Sequence, residues 1–399
     1  MLTFINDKYI ANFTMENFEF HTPTKIIFGK DTQQQVGEEL RGRANKVLLH
    51  YGQSSIKKIG LYDEVVKSLN KAGVNFVELG GVVPNPRLGL VRQGIELCRK
   101  EDVDFILAVG GGSVIDSAKA IAMGVPYDGD VWDFYDKQKP VKEALPVATI
   151  LTIPAAGSEA SAATVITNEE TEEKFGFADQ KLRPVFSILN PKINFTLPKW
   201  QTAAGIADMM THIFERYFTN TKNVNLTDEL CEALLRTIIK HAKIVVEEPE
   251  NYDSRAEILW ASTLAHNGLV GTGREEDWAS HVIEHELSAF YDVTHGAGLA
   301  VINPGWMEYV YKHDVARFAR FGRKVFGLEG EDDEVAPKAI ESLREFYQSI
   351  GMPTTLTELD IGDEKLEQMA ERCTKNCPLG NFVKLGKEDV LKIYKSVLE

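Results

Sequence analysis

The feature that most constrains the fold is an alternation of two patterns between about Thr24 and Pro198. Short apolar runs alternate with segments whose apolar residues recur every three or four positions, as in 54–72 and 88–100. The runs are KVLLHY (46–51), NFVEL (75–79), DFILAVG (104–110), LPVATILTIP (145–154) and VFSIL (185–189). Apolar runs bounded by Gly or Pro are typical of strands covered on both faces, and the intervening spacing predicts helices. The repeated order predicts a mostly parallel sheet with helices on both sides.

The pattern changes after Pro198. From 200 to 399 the sequence shows amphipathic segments separated by short loops with Asn, Asp, Gly and Pro, and each segment has a normal helix length of roughly 10 to 20 residues. We see no strand alternation there. The sequence therefore predicts an α/β domain over 1–198, followed by an all-helical domain over 199–399.

Charge excludes several kinds of partner. The 399 residues include 44 Lys and Arg against 59 Asp and Glu, a formal net charge of −15, and no basic run. Such a chain does not attract nucleic acid or an anionic membrane surface. The longest uncharged stretches, near 144–158 and 258–273, are interrupted by Pro, Gly or polar residues and fall short of the roughly 18 to 20 apolar residues that a bilayer requires.

The N-terminus and the cysteines predict a cytoplasmic protein. The first residues lack the basic and apolar segments of a secretory signal. The cysteines, Cys98, Cys231, Cys373 and Cys377, are too few for a disulfide framework, so we expect free thiols. Met15 is a natural start, so we expect the 14 residues before it to be an extension.

A glycine-rich turn follows one of the predicted strands. The run DFILAVG ends at Gly110, Gly111 and Gly112 follow, and a helix is predicted to start at or just after Ser113. Glycines allow a phosphate to approach the backbone, and the free N–H groups at a helix start attract an anion. The turn therefore suits a nucleotide pyrophosphate. Its GGGS spacing lacks the G-x-G-x-x-G fingerprint, so a simple tight turn is the alternative interpretation.

The second half holds seven of the nine histidines. Asp208 and His212 are four residues apart, the separation at which two side chains on one helix face can hold one ion. His281 and His285 repeat that spacing, and His295 follows. Such ligands favour Fe²⁺ or Zn²⁺ over Mg²⁺ or Ca²⁺. Spacing alone leaves open which of the last three histidines are ligands, and a hydrogen-bonded pair on a helix surface is the alternative for Asp208 and His212.

One short pattern indicates a different chemistry. His281, Glu284 and His285 spell H-x-x-E-H, the pattern of inverzincin peptidases. A peptidase of that kind takes its third ligand from a downstream glutamate. It has no use for a glycine-rich nucleotide turn or for Asp208 and His212, so this hypothesis is the less favoured one.

Taken together, the motifs resemble the iron-containing (group III metal-dependent) alcohol dehydrogenase family and its butanol-dehydrogenase-like subgroup. The matching stretches run in family order from about 21 to 298, and they are HTPTKIIFGK, YGQSSIKKIGLYDEV, VPNP, AVGGGSVIDSAKAIA, GSEAS, TLP, GIADMMTHIFE and HGAGLA. The resemblance implies a dehydroquinate-synthase-like fold. An α/β dinucleotide-binding domain and an all-α metal-binding domain would then enclose the active site in the cleft between them.

The resemblance also implies roles for individual residues. It assigns Fe²⁺ or Zn²⁺ to Asp208, His212, His281 and His295, and it makes His285 a catalytic residue that carries a proton near the nicotinamide. The implied cofactor contacts are Gly52, Ser54, Asn85, Gly111, Gly112, Ser113, Asp116, Thr152, Ser161 and Lys174. Gly52 stands where NAD-preferring relatives carry an acid. A 2′-phosphate is not repelled there, so NADP(H) is expected to be favoured over NAD(H).

The function implied is that of an oxidoreductase. It would move a hydride between the nicotinamide and a short-chain primary alcohol or aldehyde such as butanol or butanal, and a homodimer is the expected assembly. One alternative is a metal-dependent lyase or synthase on the same fold that uses NAD without net turnover. The zinc peptidase is the other. A fall in nicotinamide absorbance with an aldehyde separates the dehydrogenase from both.

Overall fold

The first half of the chain contains the predicted parallel sheet. The computed structural model describes residues 14–375 and 378–399. Its strands are β1 (Lys25–Phe28), β2 (Lys46–Tyr51), β3 (Asn75–Leu79), β4 (Phe105–Gly110), β5 (Val147–Leu151), β6 (Ala163–Asn168), β7 (Glu173–Ala178) and β8 (Phe186–Leu189). Six of them form one sheet in the order β1-β8-β5-β4-β2-β3, with every neighbouring pair parallel. This confirms the predicted sheet, and β2 and β3 coincide with their predicted runs.

Strand β4 shows why the central strands are uninterrupted apolar runs. Each of its residues is buried. Ile106 and Ala108 pack into one apolar cluster, whereas Leu107 and Val109 pack into another. Successive side chains of a strand point to opposite faces, so a sheet covered on both faces requires apolar residues at every position.

Helices cover the sheet. They are α1 (Val36–Leu40), α2 (Ser55–Lys58), α3 (Leu61–Ala72), α4 (Leu88–Lys100), α5 (Gly112–Gly124) and α6 (Trp132–Asp136). The helical segment predicted over 54–72 is divided at Gly60, which adopts a left-handed φ of 77°. Glycine adopts this conformation without a steric penalty, so the chain turns there between α2 and α3.

Two features of the first half were not predicted. Strand β1 lies at the edge of the sheet, and β6 and β7 form a separate antiparallel pair. Strand β1 has only four residues and is exposed at Lys25 and Phe28, and in β7 the residues Glu173, Lys174 and Gly176 interrupt the apolar ones. Strands with one solvated face lack the continuous apolar run that identifies a buried strand, which is why the search for such runs missed them.

The second half is helical, as predicted. Its helices are α7 (Lys199–Tyr217), α8 (Asn225–Glu247), α9 (Tyr252–His266), α10 (Ala279–Tyr291), α11 (His295–Val310), α12 (Val315–Phe321), α13 (Asp332–Ser349), α14 (Leu366–Cys373) and α15 (Lys387–Ser396). Within the described part of 199–399, the β-structure is one isolated bridge between Leu379 and Leu385. The predicted domain boundary at 198 falls directly before α7, and the division into two domains stays a prediction.

Two glycines bring α7 close to its neighbours. A Cβ on Gly296 of α11 would lie 1.9 Å from the carbonyl oxygen of Ala204 on α7. A Cβ on Gly205 of α7 would lie 2.4 Å from the carbonyl oxygen of Pro154, in the loop after β5. Any side chain at either position would force these segments apart. The glycines therefore allow α7 to pack between α11 and the carboxyl end of the sheet.

The cysteine prediction holds for the residues that can be seen. Cys98, Cys231 and Cys373 are free, whereas Cys377 lies outside the described residues. The expected N-terminal extension also lies outside them, apart from Thr14. Among the described residues, no helix has both the length and the apolar character needed to cross a membrane.

Candidate functional site

A cleft of about 1610 Å³ lies between the carboxyl ends of β2, β4 and β5 and the helices α7, α10 and α11. Every residue that the sequence analysis named as a site residue lines it: Gly52, Ser54, Asn85, Gly111, Gly112, Ser113, Asp116, Thr152, Ser161, Lys174, Asp208, His212, His281, His285 and His295. The carboxyl edge of a parallel sheet is where ligands of open α/β folds bind. The fold therefore brings the predicted cofactor contacts and the predicted metal ligands into one cavity.

One end of the cleft is formed by backbone. Strand β4 ends at Gly110 and α5 begins at Gly112, with Gly111 as its N-cap and no side-chain capping bond. The first N–H groups of α5 are therefore available to an anion. A Cβ on Gly111 would lie 3.1 Å from the Cβ of Ile153, which is a tight contact. The N–H groups of the turn are therefore accessible to a ligand, while Gly111 packs closely against Ile153.

Asp116 holds the loop that borders this turn. Its carboxylate accepts a hydrogen bond from Oγ of Ser158 at 2.6 Å and another from the N–H of Val165 at 3.1 Å, and burial raises its pKa. The buried Lys119 donates to the carbonyl oxygens of Ser158 and Ser161 at 2.7 and 3.0 Å. The loop with Ser161 is thus fixed to α5 by interior hydrogen bonds. A direct contact between Asp116 and a cofactor stays a prediction.

A cluster of ligand atoms forms the other end of the cleft. Asp208 of α7, His281 of α10 and His295 at the start of α11 each offer one ligand atom, and these atoms lie within 4.8 Å of one another. Oδ1 of Asp208 and Nε2 of His281 are buried without a hydrogen-bond partner. Buried polar atoms without a partner are unfavourable. An ion bound by both of these atoms would give each of them a partner, so the pair fits a metal site. The mixture of imidazole and carboxylate is suited to Fe²⁺ or Zn²⁺.

His212 lies beside this cluster. Its Nε2 is 3.3 Å from Oδ1 of Asp208 and 3.2 Å from Nδ1 of His266, and its Nδ1 is buried without a partner. Asp208 and His212 therefore share one face of α7, as predicted. His266 at the end of α9 also lines the cleft. His266 was not predicted as a site residue, because no histidine or carboxylate lies four residues from it in the sequence.

Two glutamates hold the rings of predicted ligands. Oε1 of Glu215 accepts hydrogen bonds from Nδ1 of His281 at 2.8 Å and from the same residue's backbone N–H at 2.9 Å. Oε2 of Glu284 is hydrogen-bonded to Nδ1 of His295. Use of Nδ1 in this way leaves Nε2 of each ring for an ion. Glu215 was not predicted from the sequence, since a partner 66 residues away leaves no local signal.

Trp278 is a further cleft residue that the sequence analysis missed. Its ring centroid lies 5.0 Å from that of His281 and 5.7 Å from that of His212. The guanidinium of Arg216 stacks on the ring of Trp278, with its central carbon 4.7 Å from the ring centroid. Trp278 thus covers the histidine cluster with apolar surface, which limits access of water to the ligand atoms.

His285 is next to the cluster. Its ring centroid lies 5.6 Å from that of His295, and it forms a second group of potential ligand atoms with Glu284 and His295. Burial lowers the pKa of His285, His212 and His295 well below the usual histidine value. These imidazoles are therefore neutral at pH 7, which is the form that binds metal ions.

Comparison with known proteins covers both halves of the chain. The profile of the family "Iron-containing alcohol dehydrogenase" matches residues 23–191, and that of "Fe-containing alcohol dehydrogenase family, C-terminal" matches residues 202–398. NADH-dependent butanol dehydrogenase A of Clostridium acetobutylicum is 45% identical over 96% of this chain and 99% of its own length. NADPH-dependent aldehyde reductase YqhD of Escherichia coli is 37% identical over 90% of this chain and 93% of its own length.

A solved structure agrees with these matches. The crystal structure of NADH-dependent butanol dehydrogenase A from Thermotoga maritima has a TM-score of 0.94 and 43% identity, and the match covers 97% of this chain and 100% of that one. The resemblance seen in the motifs and the fold implied by it are confirmed. The chain belongs to the iron-containing alcohol dehydrogenase family and is an oxidoreductase.

Proposed function

We propose that the chain interconverts short-chain primary alcohols and aldehydes, such as butanol and butanal, with a nicotinamide cofactor and Fe²⁺ or Zn²⁺. The observation that carries the proposal is the single cleft, in which a backbone anion site and a cluster of unpartnered ligand atoms share one cavity. The names of the Clostridium and Escherichia relatives, a butanol dehydrogenase and an aldehyde reductase, support the substrate class. The family membership favours this function over the lyase and the peptidase.

Asp208, His212, His281 and His295 would hold the ion. When bound, the ion polarises the substrate oxygen and stabilises negative charge on it, while the nicotinamide gives or takes the hydride. Glu215 keeps the ring of His281 in one orientation, with Nε2 directed away from the carboxylate. The side chains of Asp208 and His281 are buried, so few water molecules compete with substrate there.

The backbone end of the cleft would bind the cofactor. The N–H groups of Gly112 and Ser113 at the start of α5 would take the pyrophosphate, because they have no partner within the helix. Thr152 and Ser161 line the same cavity. A dinucleotide bound there would extend along the cleft, with its nicotinamide toward the predicted metal ligands.

We do not retain the preference for NADP(H). The butanol dehydrogenases from Clostridium and Thermotoga are named NADH-dependent, whereas the less similar Escherichia reductase is named NADPH-dependent. Gly52 lies at the end of β2, and the cleft residues between 52 and 58 include Lys58 and no acid. The missing acid removes a repulsion but does not by itself build a site for the 2′-phosphate. NAD(H) is therefore the cofactor that we propose.

His285 would carry the proton that reaches the substrate oxygen. Because the ring is neutral at pH 7, one of its nitrogens carries a proton and the other accepts one. The imidazole can therefore deliver a proton during aldehyde reduction and take one up during alcohol oxidation. Its place in the cleft beside His295 puts it within the same cavity as the proposed substrate site.

The test follows nicotinamide absorbance after NADH, butanal and metal-loaded protein are mixed. Absorbance should fall only when protein and aldehyde are both present. Strong chelation should abolish the reaction, and added Fe²⁺ or Zn²⁺ should restore it, because the carbonyl is not polarised without the ion. No reaction with either NADH or NADPH, or full activity in protein shown to be metal-free, would contradict the proposal.

The homodimer and the cytoplasmic location stay predictions. Strand β1 lies at the edge of the sheet, where Phe28 and Trp260 are 39% and 41% exposed with ring centroids 6.3 Å apart. An edge strand beside exposed aromatic rings favours association with a second copy of the chain. Light scattering measures the mass in solution, and a monomer would contradict the expected dimer.

A further inference from the structure

Glu284 occupies the centre of a polar network beside the proposed metal site. It lies on α10 and is fully buried. Its Oε2 is hydrogen-bonded to Nδ1 of His295, and its Oε1 accepts a hydrogen bond from Oγ of Ser288 at 2.6 Å. A buried carboxylate is unfavourable unless its oxygens are paired. Both oxygens of Glu284 have a partner, and one of these partners is a predicted metal ligand.

Lys174 compensates the charge of this carboxylate from the other half of the molecule. It lies on β7, its Nζ is 3.9 Å from Oε2 of Glu284, and both side chains are buried. The ammonium lies beside the second group of potential ligand atoms, Glu284, His285 and His295. A metal ion at that second group would be repelled by the lysine. The structure therefore disfavours a second ion there.

Asn85 connects the lysine to α10 a second time. Its Oδ1 accepts a hydrogen bond from Nζ of Lys174 at 3.0 Å, and its Nδ2 donates to Oδ1 of Asp292 at 2.8 Å. Asp292 follows α10 directly and also accepts from Arg87 at 2.8 Å. Asn85 has a left-handed φ of 52°, a conformation that asparagine tolerates better than most residues. Polar contacts thus run from the first half to the middle of α10 at Glu284 and to its C-terminal end at Asp292.

Gly298 shows how closely α11 passes Glu284. A Cβ at position 298 would lie 2.6 Å from Oε1 of Glu284 and 2.8 Å from its Cγ. Any larger residue at this position would displace the carboxylate. The glycine therefore allows the helix that begins with His295 to fold back over the glutamate that holds its ring.

We propose that Glu284 is the positioning residue of His295 and that Lys174 supports it from the first half. The hydrogen bond at Nδ1 fixes the ring so that Nε2 is available to the cluster with Asp208 and His281. This inference rests on the metal site of the proposed function. It assigns the glutamate of the H-x-x-E-H pattern to orientation of a ligand, and it gives Lys174 a structural task besides the predicted cofactor contact.

The experiment compares the Zn²⁺ affinity of the wild-type protein with that of Glu284→Gln and Glu284→Ala, by competition with a chelator. Loss of a carboxylate that orients a ligand histidine weakens metal binding by about 10- to 100-fold. The alanine variant should lose more, because the glutamine amide oxygen can still accept from Nδ1 of His295. In Co²⁺-loaded protein, the visible absorption bands should shift in both variants, since the orientation of His295 contributes to the ligand field.

Glu232→Gln is the matched control. Glu232 is also fully buried, but its Oε1 is bonded to Tyr217 at 2.9 Å and to Arg320 at 2.6 Å, outside the cleft. This variant should lower thermal stability while the Zn²⁺ affinity and the Co²⁺ spectrum stay as in the wild type. If Glu232→Gln loses metal to the same extent as Glu284→Gln, the effect is a general loss of structure and the proposal is overturned.

Lys174→Met tests the second part. Since Lys174 acts through Glu284, the loss of Zn²⁺ affinity in the double variant Lys174→Met/Glu284→Ala should equal that of Glu284→Ala alone. Additive losses would overturn the role of Lys174, and wild-type affinity in both Glu284 variants would overturn the role of Glu284. A wild-type protein that binds no Zn²⁺, or His295→Ala with unchanged affinity, would instead contradict the proposed metal site itself.

Discussion

The two ends of the cleft are built by different means. The proposed cofactor end consists of backbone N–H groups at the start of α5, whereas the proposed metal end consists of side chains from α7, α10 and α11. The first depends on the absence of side chains, as the tight space behind Gly111 shows. The second depends on particular donor atoms and on carboxylates that hold them. An added side chain should therefore weaken binding at the proposed cofactor end, and removal of a side chain should weaken binding at the proposed metal end.

The largest effect is expected from His212→Ala. Removal of a proposed ligand should release the ion and lower turnover by about three orders of magnitude or more. Metal analysis and nicotinamide absorbance measure the two losses. NADH should still bind, because the backbone end is untouched, and the exposed control His313→Ala should change neither property. If His212→Ala retained its metal, the assignment of His212 to the proposed metal end would be contradicted.

His285→Gln should slow turnover by roughly 10²- to 10⁴-fold, the usual contribution of a proton carrier. Metal and NADH should both stay bound. Since burial lowers the pKa of His285, protonation of this ring affects the wild-type rate only at acid pH, and the variant should lack that part of the pH profile. The profile of kcat against pH measures the change.

His295→Ala is the companion variant of His285→Gln. It should lower metal occupancy, because His295 belongs to the cluster with Asp208 and His281. If His285→Gln loses the ion while His295→Ala keeps it, the ligand assignment is wrong and the H-x-x-E-H hypothesis is favoured.

Gly112→Val tests the backbone end. The added side chain stands at the first residue of α5, where its Cβ would lie 3.3 Å from the Cβ of Ala156. Loss of one charge-assisted hydrogen bond to the pyrophosphate would raise the KM for NADH by about 10- to 100-fold. Metal content should not change. Gly386→Ala is the control, since its Cβ has its nearest neighbour at 3.7 Å and lies outside the cleft.

Gly52→Asp should shift the cofactor preference further toward NADH. A Cβ at this position has its nearest neighbour at 3.5 Å, so the aspartate fits without displacing backbone. Its carboxylate would repel a 2′-phosphate and accept a hydrogen bond from a ribose hydroxyl, a combined change of about tenfold in the ratio of kcat/KM values. An unchanged ratio would show that the cofactor does not approach Gly52.

The smallest effect concerns stability. His50 in β2 is bonded to the carbonyl oxygen of Leu79 and to Oγ of Ser117, and burial lowers its pKa to about 4. In the unfolded chain the pKa of this histidine is about 6.5. Between about pH 4 and pH 6.5 the unfolded chain therefore binds a proton at His50 that the folded chain does not bind. Stability should therefore fall as the pH falls from about 6.5 to about 4, by about 1.4 kcal/mol per pH unit for this histidine.

His50→Gln should remove that part of the pH dependence. Denaturant unfolding of metal-free protein at pH values between about 5 and 7 measures this pH dependence. The range covers the upper part of the window from about 4 to about 6.5, together with a pH just above it. The acid sensitivity that remains should come from the helical half, where burial lowers the pKa of His212, His285 and His295 in the same direction. An unchanged slope in His50→Gln would contradict the buried neutral state of this ring.

The difference between the two ends also explains what could be predicted. The glycine turn and the pair Asp208 and His212 are local patterns, and the structure shows both at the predicted places. His266 and Glu215 were missed, because each contacts its partner through helix packing rather than through a short spacing. The preference for NADP(H) was inferred from one missing acid, and the more similar relatives, which are named NADH-dependent, do not support it.

Periodicity in the sequence determined the parallel sheet, the helical second half and the face shared by Asp208 and His212, because these depend on residues close together in the chain. The family could likewise be recognised from its motifs. Only the tertiary structure decided that Lys174 of the first half meets Glu284 of the second, and that Glu284 holds His295. Contacts of this kind depend on how helices and strands pack, which no short stretch of sequence specifies by itself.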